Sequence, residues 1–133
     1  MNYVLLTVDQ VIAIHDHVLD DHELQGMAGG KYLDGALARV ENRLSYGLIE
    51  DVFALAASYA AAVSQAHCFN DGNKRTAFQV MDLVLDLNGV PMVWDTEVVG
   101  QKMIALAQST LDETDLADWL RRQAKDVMER DGQ

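Results

Sequence analysis

Residues 67–76 read His-Cys-Phe-Asn-Asp-Gly-Asn-Lys-Arg-Thr and separate two apolar segments that are predicted to be helices. The segment before them, from Val52 to about His67, contains seven alanines and follows Asp51, which can cap a helix N-terminus. Its side chains are small and apolar almost all round, which is typical of a central helix that lets its neighbours approach closely. The motif is therefore predicted to be an active loop that leaves a central, buried helix.

The helix after the motif is predicted to begin near Gly72 or Asn73. Its apolar residues recur at helical spacing, and they are Val80, Met81, Val84, Leu85 and Leu87. The helix is expected to end at Asn88-Gly89, because glycine takes the left-handed position after a helix and Pro91 forbids continuation.

Two further helices are predicted before this pair. The first begins at a capping box formed by Thr7 and Gln10 and runs to about Asp20. An apolar stripe between positions 33 and 48 predicts the second. The glycines of Gly26–Gly30 mark a loop between these two helices, which fits either a flap over a site or a plain connection.

Two helices are also predicted after the pair. Val90–Trp94 is expected to be extended, as an edge strand or a hairpin remnant. Asp95 or Thr96 then caps the fifth helix, and Thr110 or Thr114 begins the sixth.

Together these elements predict one all-α domain over residues 1–133, a compact bundle of about six helices with the active loop between two central helices. A polar tail from about residue 126 is expected to fray. Half of the residues are hydrophobic and 23% are charged, so disorder is not expected.

Charge and cysteine content restrict the function. The formal net charge of −11 disfavours direct binding to nucleic acid or anionic membranes, since both are polyanions. The single cysteine, Cys68, cannot form an internal disulfide, which fits a reducing cytoplasm. No apolar run approaches the roughly 20 residues of a membrane span.

The motif combines groups that suit phosphoryl or nucleotidyl transfer. Histidine titrates near neutral pH, so His67 can accept a proton from an attacking hydroxyl. Asp71 offers the hard oxygen that Mg²⁺ takes together with substrate phosphates. A phosphate site is predicted from a flexible glycine, an amide side chain, two cations and the amides of a helix N-terminus; its residues are Gly72, Asn73, Lys74 and Arg75.

Simpler interpretations stand beside this one. Asp71 can be the N-cap of an ordinary turn, with Lys74 and Arg75 solvated. A packed thiol is favoured over a nucleophile at Cys68, and a hydrogen-bonded or solvated role over metal binding at His15 and His17, because residues two apart on a helix face different ways. Phe69 is expected to plug the loop into the core, and a solvated face is favoured for Arg39 and Arg43.

The motif resembles the signature of the Fic/Doc superfamily, and its Lys74-Arg75 ending resembles the Doc (death-on-curing) branch. The resemblance extends from the first helix to about Leu120. The Fic consensus is His-Pro-Phe-x-[Asp/Glu]-Gly-Asn-Gly-Arg-x-x-Arg; here Cys68 replaces the proline, Lys74 the second glycine and Phe78 the last arginine. Adenylyltransferases of the superfamily use that glycine and arginine to seat the nucleotide for AMP transfer.

The resemblance implies a toxin that stops translation by transferring the γ-phosphate of ATP to a threonine of translation elongation factor Tu. In the Doc branch the nucleotide is reversed, so that its γ-phosphate lies in the loop. His67 would be the base, Asp71 the Mg²⁺ ligand and the loop the phosphate site. The inhibitory motif [Ser/Thr]-x-x-x-Glu-[Gly/Asn] is not found, so a Phd-like antitoxin is the implied partner. A Fic-type AMP transferase and a catalytically silent antitoxin-binding partner stay as alternatives.

Overall fold

A computed structural model describes residues 2–23, 25–26 and 32–131. Six α-helices form in these ranges: α1 (Val8–Val18), α2 (Leu33–Ser45), α3 (Val52–Ala66), α4 (Asn73–Leu87), α5 (Thr96–Ala107) and α6 (Glu113–Asp131). The described ranges contain no strand, and the all-α prediction is confirmed. None of the described helices is long and apolar enough to cross a membrane.

Helix α3 is the centre of the fold. It packs against α2, α4, α5 and α6, and its buried residues run from Leu55 to Ser64 with one interruption. Tyr59 and Leu55 are the largest of its fully buried side chains. The alanines between them let α4 pack closely on α3, so the helix that carries His67 is fixed by its neighbours.

Most helix ends follow the predictions. The capping box of Thr7 and Gln10 is present, and Asp51 and Asp95 accept hydrogen bonds from the first turns of α3 and α5. Gly89 takes the left-handed conformation after α4, with a φ of 85°. Helix α1 ends at Val18, two residues earlier than expected.

Helix α6 begins at Glu113, one residue before Thr114, which was one of the two predicted starts. Its N-cap is Asp112, whose carboxylate accepts a hydrogen bond of 2.8 Å from the backbone N–H of Asp115. Thr110 instead donates its hydroxyl to the carbonyl of Ala105 and so closes the end of α5. The helix continues through Asp131, so the first residues of the predicted polar tail are helical.

Residues 90–94 have no regular secondary structure, so the expected edge strand or hairpin is not formed. Side-chain contacts hold this segment instead. The Trp94 ring stacks on Trp119 with ring centroids 6.0 Å apart and meets Phe78 edge-on. Its indole N–H donates to Asp82 at 2.9 Å.

Of the predicted Gly26–Gly30 loop, residues 27–30 lie outside the described residues, and so does the predicted flap. The N-terminal segment before α1 is tied to the core by two side chains. Asn88 exchanges hydrogen bonds with the backbone of Val4, and the buried N–H of Leu6 donates to the Tyr59 hydroxyl at 3.1 Å.

We expect Tyr59→Phe to lower the free energy of unfolding by about 1–2 kcal/mol, because it leaves the buried N–H of Leu6 without an acceptor. Urea denaturation followed by circular dichroism measures the change. Tyr46→Phe is the matched control, since this side chain is 80% exposed; its effect should stay within about 0.5 kcal/mol. Equal effects for the two variants would contradict the role of the hydrogen bond.

Candidate active site

His67 stands at the point where α3 ends. It is the C-cap residue and has a left-handed backbone, with φ 49° and ψ 44°. Such a conformation is unfavourable for a residue with a Cβ and persists where the surrounding structure imposes it, commonly at functional sites. The residue is exposed, so its imidazole is accessible to a substrate.

The loop after His67 is held in place by contacts with His15 of α1. Phe69 is 3% exposed, and its ring stacks on that of His15 with a centroid distance of 3.7 Å. Nε2 of His15 lies 2.8 Å from the carbonyl oxygen of Asp71 and must donate to it, because a carbonyl only accepts. The plug role of Phe69 and the hydrogen-bonded role of His15 are both confirmed, whereas His17 is exposed.

Asn73 closes the loop on itself. Its side-chain oxygen accepts from the N–H of Phe69 at 3.2 Å, and its amide nitrogen donates to the carbonyl of the same residue at 2.9 Å. One hydrogen of the amide nitrogen is used in this brace, which leaves its second hydrogen and the backbone N–H of Asn73 for a phosphate contact. Asn70 extends the network by donating to the carbonyls of Gln25 and Gly26.

Gly72 forms the junction with α4. Its φ of 80° favours glycine. A Cβ here would lie 3.1 Å from a methyl group of Leu19 and 3.6 Å from the His15 ring. Helix α4 begins at Asn73 without a side-chain cap from Gly72. Its first N–H groups therefore form the anion-binding end of the helix.

The predicted site residues meet in one place. A cavity of about 300 Å³ is lined by Glu23, Ser64, His67, Asn70, Asp71, Gly72, Asn73, Lys74, Arg75 and Ala107. It therefore contains the proposed base, the proposed Mg²⁺ ligand and all four residues of the proposed phosphate site. Within the described residues no group of three or more His, Cys, Asp and Glu side chains could hold a metal ion by itself. A cation here would need oxygens from a substrate beside that of Asp71, which is how Mg²⁺ commonly binds with phosphates.

Arg75 has acidic partners that the sequence did not reveal. Its guanidinium pairs with Glu23 and, at 3.2 Å, with Asp20, and also donates to the carbonyl of Val18. The hydrogen bond from Arg75 is the main reason that the pKa of Glu23 is lowered to about 2. The sequence shows acidic residues just before the Gly26–Gly30 loop, but nothing in it links them to Arg75. Only the fold brings Asp20 and Glu23 to the guanidinium. A phosphate at this guanidinium has to compete with two carboxylates.

Ser64 is a further residue that sequence reasoning missed. It lies one helical turn before His67, is 1% exposed, and lines the same cavity. Its hydroxyl has no hydrogen-bond partner among the described residues. Serine in the interior of an apolar helix gives no sequence signal of a site.

The remaining predictions about single residues concern packing and charge. Cys68 is completely buried, which confirms a packed thiol. Arg39 is exposed, and Arg43 is 36% exposed with a carboxylate oxygen of Glu113 3.7 Å away. The pair formed by Arg43 and Glu113 is longer than a hydrogen bond, so it contributes little to stability.

Comparison with known proteins identifies a family and a relative. A family model described as the Fic/DOC family matches residues 5–85. A protein named "Protein kinase doc", from Escherichia phage P1, is 33% identical over 118 residues, which cover 88% of this chain and 93% of that protein. The matched residues end within α4, so they include all of α3, the whole of the loop and most of α4.

The ion pair between Arg75 and Glu23 predicts an acid-shifted carboxyl. We expect carbon-detected NMR titration to place the Glu23 pKa near 2, against an ordinary value of 4.5. Because the folded-state pKa is the lower one, the pair stabilises the fold above pH 4.5, and this contribution is lost as the pH falls towards 2. Arg75→Gln should move the pKa back towards 4.5.

Arg122→Gln is the control for this titration, because Arg122 is an exposed arginine on α6. It should leave the Glu23 titration as it is in the parent protein. A Glu23 pKa that did not respond to Arg75→Gln would mean that the two side chains are not paired in solution.

Proposed function

Because the chain belongs to the Fic/DOC family, we propose that it is the toxin of a toxin–antitoxin system and acts as a protein kinase. The proposed reaction transfers the γ-phosphate of ATP to a threonine hydroxyl of translation elongation factor Tu in the cytoplasm, which blocks translation. The phage P1 relative is named a protein kinase and aligns with most of this chain, which supports the kinase class. The observation that carries the proposal is the single cavity shared by His67, Asp71 and the N-terminus of α4.

In this reaction His67 takes the proton of the threonine hydroxyl as its oxygen attacks the γ-phosphorus. The new bond joins that oxygen to phosphorus, and the bond to the bridging oxygen of the β-phosphate breaks. Its electron pair leaves with ADP. The left-handed backbone at position 67 and the exposure of the side chain suit a base that must meet a hydroxyl on another protein.

The transferred phosphoryl group is bound by the first N–H groups of α4 together with Lys74 and Arg75. The His15 and Asn73 contacts fix the loop before substrate arrives, so the amides need little rearrangement. Asp71 would hold Mg²⁺, which when bound neutralises phosphate charge. Its backbone position is set by the hydrogen bond from His15.

Two residues favour transfer of phosphate over transfer of AMP. Lys74 puts a long cationic side chain at the position where an adenylyltransferase of this family has glycine. Phe78 replaces an arginine, and its ring meets Trp94 edge-on with a centroid distance of 5.5 Å. Position 78 therefore supplies packing and no charge to a nucleotide.

The protein proposed to inhibit this toxin is a Phd-like antitoxin, whose tail folds as a helix on the toxin. The net charge of −11 suits a partner with basic residues. A catalytically silent antitoxin-binding protein is the alternative outside enzymes. It would form the same complex and transfer no phosphate.

We expect His67→Asn to reduce phosphate transfer at least ~100-fold, because the base is removed. Asparagine tolerates the left-handed backbone at this position, so the fold should be kept. The measurement is mass spectrometry of elongation factor Tu after incubation with ATP and Mg²⁺. His17→Asn is the matched control, since His17 is an exposed histidine on α1.

The mass of the product separates the candidate functions. A gain of one phosphate on threonine, lost in His67→Asn and kept in His17→Asn, supports the kinase. A gain of AMP, or label from the α-phosphate in the product, would replace it with adenylyl transfer. A folded parent protein that modifies nothing would favour the silent partner.

A further inference from the structure

His67, the proposed base, is an exposed histidine at the C-terminal end of α3. A histidine that acts as a base needs a third group on its other ring nitrogen, because that contact fixes the orientation and the tautomer of the ring. Among the described residues, no group forms a hydrogen bond with the His67 imidazole. Since the side chain is exposed, it can turn towards an acceptor that lies beside it.

Ser64 is a buried hydroxyl one helical turn before the base. It is 1% exposed, and its oxygen forms no hydrogen bond with any residue that the structure describes. Buried polar groups in proteins nearly always have a hydrogen-bond partner. The lone pairs of a hydroxyl oxygen can accept the N–H of an imidazole. Ser64 therefore has the acceptor that the base requires, and the base has the donor that Ser64 requires.

The two side chains occupy the same part of the fold. Ser64 precedes His67 by three residues, and side chains at this spacing on a helix lie on one face. Both of them line the cavity of about 300 Å³ at the active loop. Because Ser64 is held within the buried part of α3, the contact needs movement of the exposed imidazole only.

The other polar side chains in this cavity have different tasks. Glu23 is held in an ion pair, and the amides of Asn70 and Asn73 bond to backbone groups. Lys74 carries only donors, so it cannot accept the N–H of an imidazole. Asp71 is the proposed Mg²⁺ ligand. The serine hydroxyl is thus the acceptor that can serve the base without giving up another contact.

We propose that the Ser64 hydroxyl accepts a hydrogen bond from one ring nitrogen of His67 and so positions the base. This positioning role rests on the proposed kinase function, because His67 needs a fixed tautomer only if it takes a proton. The nitrogen that donates to Ser64 carries the hydrogen, which leaves the other nitrogen with a free electron pair. That pair takes the proton of the attacking hydroxyl, and the imidazolium that forms keeps its N–H on Ser64.

Nuclear magnetic resonance of the ring nitrogens measures the tautomer of His67 directly. Protonated and unprotonated imidazole nitrogens have well-separated chemical shifts, and exchange between tautomers averages them. For the parent protein we expect one nitrogen of each kind at about pH 9, where an ordinary histidine is neutral. Ser64→Ala should move both shifts towards the average.

The chain supplies its own references for this measurement. His15 donates Nε2–H to a carbonyl and therefore represents a fixed tautomer, whereas His17 is exposed and represents an averaged one. The spectrum of His67→Asn identifies the signals of the base, since only these signals disappear.

Steady-state kinetics of phosphate transfer test whether the contact matters for the reaction. Ser64→Ala should lower kcat roughly tenfold, as expected for one hydrogen bond that orients the base. Its KM for ATP should stay within roughly twofold of the parent value, because Ser64 positions the base and binds no nucleotide. Alanine also favours the helix, and the Ser64 oxygen has no bond to lose among the described residues, so this variant should fold.

Three further variants separate the hydrogen bond from packing. Ser64→Thr keeps the hydroxyl and should keep both the tautomer and kcat. Ser64→Cys fills the same space with a weak acceptor, so it should behave as Ser64→Ala and can replace it in both measurements. Ser58→Ala is the matched control, because Ser58 is a buried serine of α3, at 3% exposure, that does not line the cavity. It should leave the tautomer and kcat as they are in the parent.

The outcomes distinguish the positioning role from the function on which it rests. An averaged His67 ring in the parent, or a tautomer that is unchanged in Ser64→Ala, would overturn the contact whatever the activity. If the parent phosphorylates its target and Ser64→Ala has the same kcat, only the positioning role fails. If the tautomer depends on Ser64 and the parent transfers no phosphate, the kinase function fails and the positioning role fails with it.

Discussion

The active loop depends on one buried contact, in which His15 of α1 supports the loop between α3 and α4. The imidazole stacks on Phe69 and donates to the carbonyl of Asp71, so one side chain fixes both ends of a short turn. A hydrogen bond of this kind contributes about 0.5–1.5 kcal/mol net. Gly72 is required by the same arrangement, since a Cβ would press on His15 and Leu19. The orientation of the anion-binding end of α4 follows from this packing.

Local signals in the sequence predicted most of the fold. Caps such as Thr7 and Asp51 depend on atoms within three or four residues, and the alanines of α3 predict a central helix through their composition. The motif likewise groups six proposed site residues within nine positions, so a single turn brings them together. Contacts between distant segments gave no such signal. The pairing of Arg75 with Glu23 joins residues 52 apart, and the support of Asp71 by His15 joins residues 56 apart. Asp112 was missed as the α6 cap because two threonines nearby were equally acceptable from sequence alone.

The acidic partners of Arg75 affect how the site meets a phosphate. In a chain with a net charge of −11, a cationic site is opposed by the field of the whole protein, so local geometry has to provide the attraction. Arg75 is paired with Asp20 and Glu23. This pairing holds its side chain in one position and reduces the positive charge that it offers to a phosphate. In the proposed phosphate site, the first amides of α4 and the exposed Lys74 are then the groups with the fewest competing partners for an anion. We therefore expect Lys74 to contribute more to phosphate binding than its flexible side chain alone would suggest.

The same geometry bears on which phosphorus would be attacked in the proposed reaction. The start of α4 offers one place for an anion, and the identity of the reaction depends on which phosphate of the nucleotide lies there. With the α-phosphate there, the nucleoside stays with the transferred group and pyrophosphate departs. With the γ-phosphate there, the nucleoside departs. Phe78 stands where the Fic consensus has its last arginine, so this position offers packing and no charge. The substitution is therefore consistent with the proposed transfer of phosphate, in which that arginine has no AMP to seat.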